Sequence, residues 1–388
     1  MTAPALETEG APPRAMDDGE DVKLFVASQS QLIWRRFRRH RLAVVSGIVL
    51  ALMYLVALFA PAIAVYDTGR NFSRYTYAPP MAVHLFERTP DGSLRLRLHT
   101  YDFAVKVDPV AMRRSFVPDP NKPIPLGFFV RGEPYSFFGL ETDIHLFGPV
   151  DPKQPLFLMG ADRIGRDVFS RLVYGTRISL SIGLVGVFLS LTLGIILGGV
   201  SGYYGGLVDS IIQRIIEFVR SVPTIPLWMG LAAALPRDWG PVKVYFAITV
   251  LLSLAGWTSL ARVVRGRFLS LREEDFVRAA KLDGASEGRI IFRHMMPAFA
   301  SHIIASVTLA IPFMIMAETA LSFLGIGLRP PVVSWGTLLQ DAQSVRAVTT
   351  APWLMLPAIP VIVSILAFNF LGDGLRDAAD PYGPSGRG

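Results

Sequence analysis

The sequence contains no cysteine among its 388 residues. Disulfide bonds, thiolate nucleophiles and cysteine-based metal sites are therefore excluded, so any extracytoplasmic part must be held together by packing. Charged residues are also scarce, at 18% of the composition, whereas 51% of the residues are apolar. These proportions exclude a disordered chain and argue against an ordinary soluble enzyme.

The sequence also lacks motifs for nucleotide binding, hydrolysis and metal binding. No glycine is followed by lysine, so the phosphate-binding loop of ATP-hydrolysing proteins does not occur. No Ser-His-Asp order or paired carboxylate indicates hydrolysis. The missing phosphate-binding loop leads us to expect no cofactor bound by this chain. We also expect no metal site, because the histidines lack ligand spacing: His40, His84, His99, His145, His294 and His302.

Long uncharged runs dominate the sequence instead. A helix rising about 1.5 Å per residue needs about 20 apolar residues to cross roughly 30 Å of hydrocarbon. The run at 303–328 contains a single charge, Glu318. The run at 221–236 is short, but its helical pattern begins earlier, near Asp209. We predict six transmembrane spans, over residues 42–65, 178–200, 221–236, 244–261, 303–328 and 351–372.

Basic residues predict the orientation of these spans. Five arginines lie within residues 35–41, with no acid among residues 31–41, which predicts a cytoplasmic N-terminus. Six spans then place the C-terminus in the cytoplasm too, together with residues 262–301. The first run exceeds the apolar core of a signal peptide, so we expect an uncleaved anchor in the cytoplasmic (inner) membrane.

The remaining segments suggest a simple domain organisation. Residues 94–98 alternate as in a strand after a Pro90-Asp91-Gly92 turn, and a second hairpin is expected around residues 131–133, so the insertion at 66–172 is predicted to be small and β-rich. The predicted order is a disordered cytoplasmic tail at 1–30, a basic segment and first span at 31–65, the extracytoplasmic insertion at 66–172, a transmembrane domain at 173–382 and a tail at 383–388.

A cytoplasmic helix pair is predicted between the fourth and fifth spans. Ser270 and Glu273 have the spacing of a capping box, and Gly284 lies where a left-handed helix end is expected. The pattern predicts one helix over 271–283 and a second from Ser286 to Pro297.

The first of these helices has a candidate docking face. Phe276, Ala279, Ala280 and Asp283 recur at three- and four-residue spacings, so one aromatic and two small side chains could meet another protein closely. The alternative is a plain cytoplasmic loop whose alanines only favour helix. A DNA-binding helix-turn-helix is a third possibility, but the adjacent spans would keep it from a major groove, so we expect no nucleic-acid partner.

At these residues the chain resembles a known family. Ala279-Ala280, then Gly284 and Pro297, are similar to the EAA loop of permease subunits of binding-protein-dependent ABC importers, although Arg278 stands where that loop has glutamate. Further stretches resemble the C-type permease of the oligopeptide/dipeptide branch: 34–39 (WRRFRR), 160–167 (GADRIGRD) with 170–171 and 175–180, and 321–327 (LSFLGIG) with 334–336 (SWG). The likeness covers about residues 31–65 and 157–382.

The resemblance implies an all-α polytopic membrane protein with six helices of the type I importer kind, plus the β-rich insertion. It further implies a homologous second permease subunit, two ATP-binding subunits that use ATP and magnesium, and an extracytoplasmic solute-binding protein. A coupling loop at 265–300 would contact the ATPase through Phe276, Ala279, Ala280, Asp283, Gly284, Ala285 and Pro297.

Two further sites have alternative interpretations. Glu318, an acid inside a span, either lines an outer gate or caps the backbone turn at 322–327. Asp162, Gly165, Arg166, Asp167 and Arg171 either form a structural element near the outer mouth, as the resemblance implies, or a solvated interfacial helix in which Asp167 and Arg171 pair.

The function expected from the resemblance is import of peptides or similar solutes, with this chain forming half of the pathway. Permeases for oligosaccharides, glycosides or nickel chelates are alternatives within the same class. A different class, a membrane-anchored extracytoplasmic sensor or enzyme, would depend on residues 66–172 instead.

Overall fold

The computed structural model describes residues 29–88, 94–107, 114–236 and 238–379. In chain order the helices are α1 Gln29–Arg39, α2 Arg41–Leu58, α3 Ala60–Ile63, α4 Val168–Tyr204, α5 Gly206–Ser221, α6 Thr224–Ala233, α7 Pro241–Leu271, α8 Asp275–Leu282, α9 Glu287–Arg289, α10 Met296–Ala298, α11 Ala300–Phe323, α12 Trp335–Gln340, α13 Val345–Thr350 and α14 Ala358–Ala379. A π-helical turn, Ile290–Met295, joins α9 to α10. The strands are β1 His84–Arg88, β2 Leu94–Val107, β3 Arg114–Phe137 and β4 Leu140–Pro149.

Membrane-crossing helices form the body of the protein. Within the described ranges, five helical segments are long and apolar enough to span a bilayer: Arg41–Leu58, Val168–Tyr204, Pro241–Leu271, Ile303–Phe323 and Pro352–Ala378. The bent pair α5 and α6 makes a sixth if it counts as one span. The predicted all-α polytopic class is therefore confirmed. Below, the sheet end is the end where α2 stops and α4 starts, and the α8 end is the opposite one.

The third span is predicted as one continuous helix, but the structure has two helices there. Helices α5 and α6 are bent by 83° at Val222 and Pro223. Val222 has extended backbone, with φ −85° and ψ 128°, because the ring of a following proline disfavours the helical conformation. The prediction of one helix from Asp209 through residue 236 is therefore wrong.

Helices α4 and α7 pack unusually closely. Glycines recur every four residues along α4, at Gly194, Gly198 and Gly202. A Cβ at Gly198 would overlap the carbonyl oxygen of Ala261, and one at Gly202 would lie 2.6 Å from the Cβ of Phe268. Small residues are used in this way where membrane helices meet backbone to backbone.

The insertion contains one antiparallel sheet in the order β1-β2-β3-β4. The strand predicted at 94–98 is the start of β2, and Leu94 pairs with Arg88 of β1. The turn predicted at 90–92 lies outside the described residues. A small sheet in the insertion is thus confirmed.

The second predicted hairpin is misplaced. Residues 131–133 lie inside β3, beside a register irregularity between Arg131 and Tyr135. The chain turns instead at Phe138 and Gly139, between the paired residues Phe137 and Leu140. Both turn residues have positive φ, 50° and 85°, as a two-residue hairpin loop requires.

Candidate functional site

The helix predicted over 271–283 begins later than its sequence signals indicated. Helix α7 continues to Leu271, so Ser270 lies inside that helix and makes no capping box with Glu273. Glu274 is the N-cap of α8. Glu273 instead accepts hydrogen bonds from Arg278, at 3.0 Å, and Arg272, at 3.1 Å, and these guanidinium groups lower its pKa.

A glycine turn ends α8 as the sequence predicts. Gly284 has φ +73°, its amide donates to the Lys281 carbonyl at 3.1 Å, and the Ala285 amide donates to the Ala280 carbonyl at 3.0 Å. This pair of bonds is a Schellman motif, which satisfies helix-end carbonyls and needs a left-handed residue. The hairpin geometry therefore depends on Gly284.

The predicted docking face is not a single face of α8. Phe276, 42% exposed, Ala279 and Asp283 are at the surface, but Ala280 is buried with Val277. Ala280 packs inward because it lies three residues after Val277, whose cluster includes Phe268, Ile290 and Met295. Leu282, which the docking-face pattern omitted, is 89% exposed.

The second helix of the hairpin starts after its N-cap, Ser286, and Pro297 is an exposed residue of α10. Two contacts join this hairpin to the end of α4. The Tyr204 hydroxyl donates to the Glu287 carboxylate at 2.7 Å, and the Lys281 ammonium lies 5.4 Å from the ring centroid of Tyr203. These two contacts attach the hairpin to the end of α4.

An ion pair fastens the start of α5 to α7. Arg265 donates two hydrogen bonds of 2.5 Å to the Asp209 carboxylate, which also accepts one from Ser201 of α4. Three membrane helices thus meet at one carboxylate near the α8 end. Sequence patterns did not single out Arg265, although an acid in the first turn of a helix, such as Asp209, is favoured by the helix dipole.

Glu318 is completely buried in the bundle. One carboxylate oxygen accepts hydrogen bonds from Ser322 at 2.8 Å and from Ser334 at 2.6 Å, and the other accepts one from Ser179 at 3.4 Å. The Ser322 hydroxyl in turn accepts the amide of Leu328 at 3.0 Å. Glu318 therefore links α4, α11 and the start of α12, and it acts on the turn at 322–327 through the Ser322 hydroxyl, which favours a structural role over a gate-lining one.

The 160–171 motif forms an ionic cluster at the sheet end. Asp162 accepts hydrogen bonds from Arg166 Nε at 2.7 Å and Arg171 Nη1 at 2.6 Å. Arg171 also lies 3.4 Å from Asp341, which sequence reasoning missed because it follows α12, far along the chain. Gly165, with φ +83°, lies against the carbonyl of Phe72, where a Cβ would overlap that oxygen.

Of the two interpretations of this motif, the solvated helix in which Asp167 pairs with Arg171 does not agree with the structure. Arg171 is buried and turned to Asp162, while Asp167 is the N-cap of α4 and accepts the Ser170 amide at 2.7 Å. Its other carboxylate oxygen has no hydrogen-bond partner. Burial raises the pKa of Asp167 to about 6.

A cavity of about 530 Å³ opens between α4, α5, α6, α7 and α11. Its walls are largely apolar, with Gly256, Ala310 and Phe313 among them. Its charged residue is Arg220, which donates to the Ser259 hydroxyl at 2.9 Å. Among the described residues, no group of three or more His, Asp or Glu could hold a metal ion.

These features define a class: a polytopic membrane protein with an internal cavity and a helical hairpin at one end. The family described as binding-protein-dependent transport system inner membrane component matches residues 190–382. The N-terminal transmembrane domain of oligopeptide transport permease C matches residues 28–80.

Relatives extend this match over most of the chain. The oligopeptide transport system permease protein OppC of Bacillus subtilis is 30% identical over 95% of this chain and 95% of its own length. The dipeptide permease DppC of the same organism is 40% identical over 57% of this chain and 68% of its own. The glutathione permease GsiD of Pectobacterium atrosepticum is 38% identical over 58% and 72%.

The chain therefore belongs to the family of inner-membrane permease components of binding-protein-dependent ABC importers, as its resemblance predicts. Among solved structures, the methionine ABC transporter MetNI, in an inward-facing conformation, matches 55% of this chain and 97% of its own at 16% identity and a TM-score of 0.42. The alternatives of a sugar or nickel-chelate permease and of a membrane-anchored sensor are not favoured.

Proposed function

We propose that this chain forms half of the translocation pathway of a peptide importer. A homologous permease supplies the other half, two ATP-binding subunits bind ATP and magnesium, and an extracytoplasmic binding protein delivers the solute. Relatives named for oligopeptide, dipeptide and glutathione transport support peptides as the substrate class. The chain lies in the inner membrane with both termini and α8 in the cytoplasm, following the basic residues before α2.

Coupling to the ATPase is assigned to the hairpin of α8. The observation that carries this proposal is that Phe276 and Leu282 are apolar and exposed on α8. The opposite side of this helix packs against the membrane helices. Val277 lies in one apolar cluster with Phe268 of α7, and Lys281 lies over Tyr203 of α4. An ATPase that holds the exposed side therefore moves α4 and α7 together, so that nucleotide-driven closure changes access to the cavity.

The cavity is proposed as this chain's part of the pathway. It borders α6 and α11 and combines an apolar lining with hydroxyl groups and one guanidinium, a lining that tolerates varied side chains while keeping polar contacts for a peptide. Uptake of a labelled tripeptide by proteoliposomes that contain all subunits tests the substrate class. ATP-dependent uptake of a sugar, with none of the peptide, would overturn it.

Docking is tested by a matched pair of variants. Leu282→Asp places a charge on the proposed contact surface, and Val345→Asp places one on an equally exposed apolar residue at the sheet end. We expect Leu282→Asp to reduce co-purification of the ATP-binding subunits at least tenfold, with Val345→Asp unchanged. Equal recovery with both variants would contradict docking at α8.

A further inference from the structure

The hairpin of β3 and β4 ends beside the last residue of the first span. Phe59, the C-cap of α2, stacks on Phe137 with ring centroids 5.4 Å apart and an interplanar angle of 25°. Phe137 pairs with Leu140 across the two-residue loop at Phe138 and Gly139. The loop is therefore at the level of the α2 terminus.

The length of α2 gives the depth of this loop in the bilayer. Helix α2 has 18 residues, so it spans about 27 Å, close to the roughly 30 Å thickness of the hydrocarbon core. The cluster of arginines up to Arg41 holds the opposite terminus at the membrane surface. Phe59 consequently lies at the far boundary of the hydrocarbon, and the hairpin loop lies there with it.

Contacts along the hairpin fix its direction. The ring nitrogens of His145 lie 2.6 Å from the carbonyl oxygen of Ala64 and 2.9 Å from that of Glu133. The Glu133 carboxylate accepts the amide of Asp67 at 2.8 Å. The hairpin therefore runs alongside the chain that leaves α2, and its loop points back toward the membrane.

Polarity changes over the residue pairs next to the loop, whereas exposed apolar side chains recur farther along β3, at Phe128 and Phe129. The two loop-proximal side chains Phe138 and Leu140 are 79% and 74% exposed. The next pair is polar, Ser136 with Glu141. Beyond it come Tyr135 with Thr142, and then an ion pair of Arg131 and Asp143 at 4.0 Å. Exposed apolar groups of this kind mark an interaction surface, and a bilayer has the same gradient from hydrocarbon to headgroup.

We propose that the hairpin loop, with Phe137, Phe138 and Leu140, inserts into the membrane leaflet at the α2 terminus and anchors the insertion to lipid. The loop continues the lipid-facing surface of α2, where Leu52, Leu55 and Leu58 are exposed. Phenylalanine and leucine side chains are the kind that interfacial segments bury at the boundary between headgroups and acyl chains. Neither transport nor its substrate enters this inference, so it stands independently of the proposed function.

The absence of cysteine makes the test direct. A single nitroxide is attached to Phe138→Cys or Leu140→Cys in the full chain in lipid nanodiscs, and its collisions with oxygen and with a water-soluble nickel chelate are measured. Leu55→Cys, on the lipid-facing side of α2, is the buried-in-lipid reference, and Val117→Cys, exposed at the opposite end of β3, is the aqueous reference.

We expect the oxygen-to-nickel collision ratio at residues 138 and 140 to be several-fold higher than at residue 117 and to approach that at 55. A ratio at both sites equal to that at 117 would overturn the proposal. Protection from both reagents that arises only after the second permease is added would also overturn it, because the loop would then contact protein. Leu140→Cys lies in extended strand, so the test does not depend on the strained turn residue.

Discussion

Arg171 of α4 lies 3.4 Å from Asp341, a residue 170 positions later in the chain. The same guanidinium group donates to Asp162, and only 4% of the Arg171 side chain is exposed. Burying an arginine requires compensating charge, and two carboxylates from separate segments supply it here. The segment before α4 is thus tied to the end of α12 at the sheet end of the bundle.

Asp341→Asn should destabilise the protein through this cluster. The change leaves Arg166 and Arg171 with Asp162 as their remaining carboxylate and removes the partner of Arg163, and we expect a loss of roughly 1–3 kcal/mol. Arg163→Gln is the matched control, because its side chain is 64% exposed and its ion pair should contribute about 0.5 kcal/mol or less. Thermal unfolding in nanodiscs measures both, and equal shifts would contradict the assignment.

Gly284→Val should impair coupling through backbone strain alone. A Cβ at Gly284 would meet nothing within 4 Å, so the cost is the left-handed conformation, about 1–2 kcal/mol and more for a branched residue. Gly284→Asn should be milder, because asparagine tolerates this conformation. Transport and ATPase recovery are measured with Gly288→Ala, at an open helical position, as the control. Normal assembly and transport by Gly284→Val would reject the docking assignment.

Glu318→Gln and Glu318→Leu should separate the charge of this residue from its hydrogen bonds. The glutamine oxygen can still accept from Ser322 and Ser334, so we expect a folded protein that has lost about 1–2 kcal/mol. Leucine leaves both hydroxyl groups without their acceptor and should cost about 2–5 kcal/mol. Full transport by the glutamine variant would exclude a role for the charge. Loss of transport without loss of stability would instead favour the interpretation that Glu318 lines an outer gate.

The pH dependence of stability should change in Asp167→Asn. The folded state raises the pKa of Asp167 to about 6, so this carboxyl binds its proton more tightly in the folded protein than in the unfolded one. Stability should therefore fall as pH rises from about 4 to about 6, by up to about 3 kcal/mol. Asparagine keeps the N-cap without ionising. Unfolding midpoints at pH 4.5 and 7 should differ less in the variant, and an unchanged difference would contradict this account.

Features local in sequence were predictable. The apolar runs identified the spans, and Gly284 identified the end of α8, because both signals depend on near neighbours. Helix start signals were less reliable: Ser270 and Glu273 have capping-box spacing, but α7 continues past Ser270 because Phe268 packs in the cluster with Val277. Tertiary packing therefore determined the end of α7, and the capping signal at Ser270 did not.

Features that depend on distant residues were not predictable. No local sequence pattern pairs Asp341 with Arg171. The sequence does not distinguish the buried Ala280 from the exposed Ala279, because that requires knowing that Val277 faces inward. The turn at Phe138 was missed because phenylalanine rarely adopts positive φ, and Gly139 was the available signal. The bend at Pro223 could have been inferred from proline alone.

Close packing at Gly194, Gly198 and Gly202 limits how the bundle can open. A sliding or rolling motion of α4 against α7 would drive the carbonyl of Ala261 or the side chain of Phe268 into α4, so the two helices must travel as one rigid unit. Because α8 follows α7 after three residues, a displacement imposed on α8 would act directly on this unit. Under the proposed transport function, α4 and α7 would therefore move together relative to the α5–α6 segment, which is bent by 83° at Val222 and Pro223.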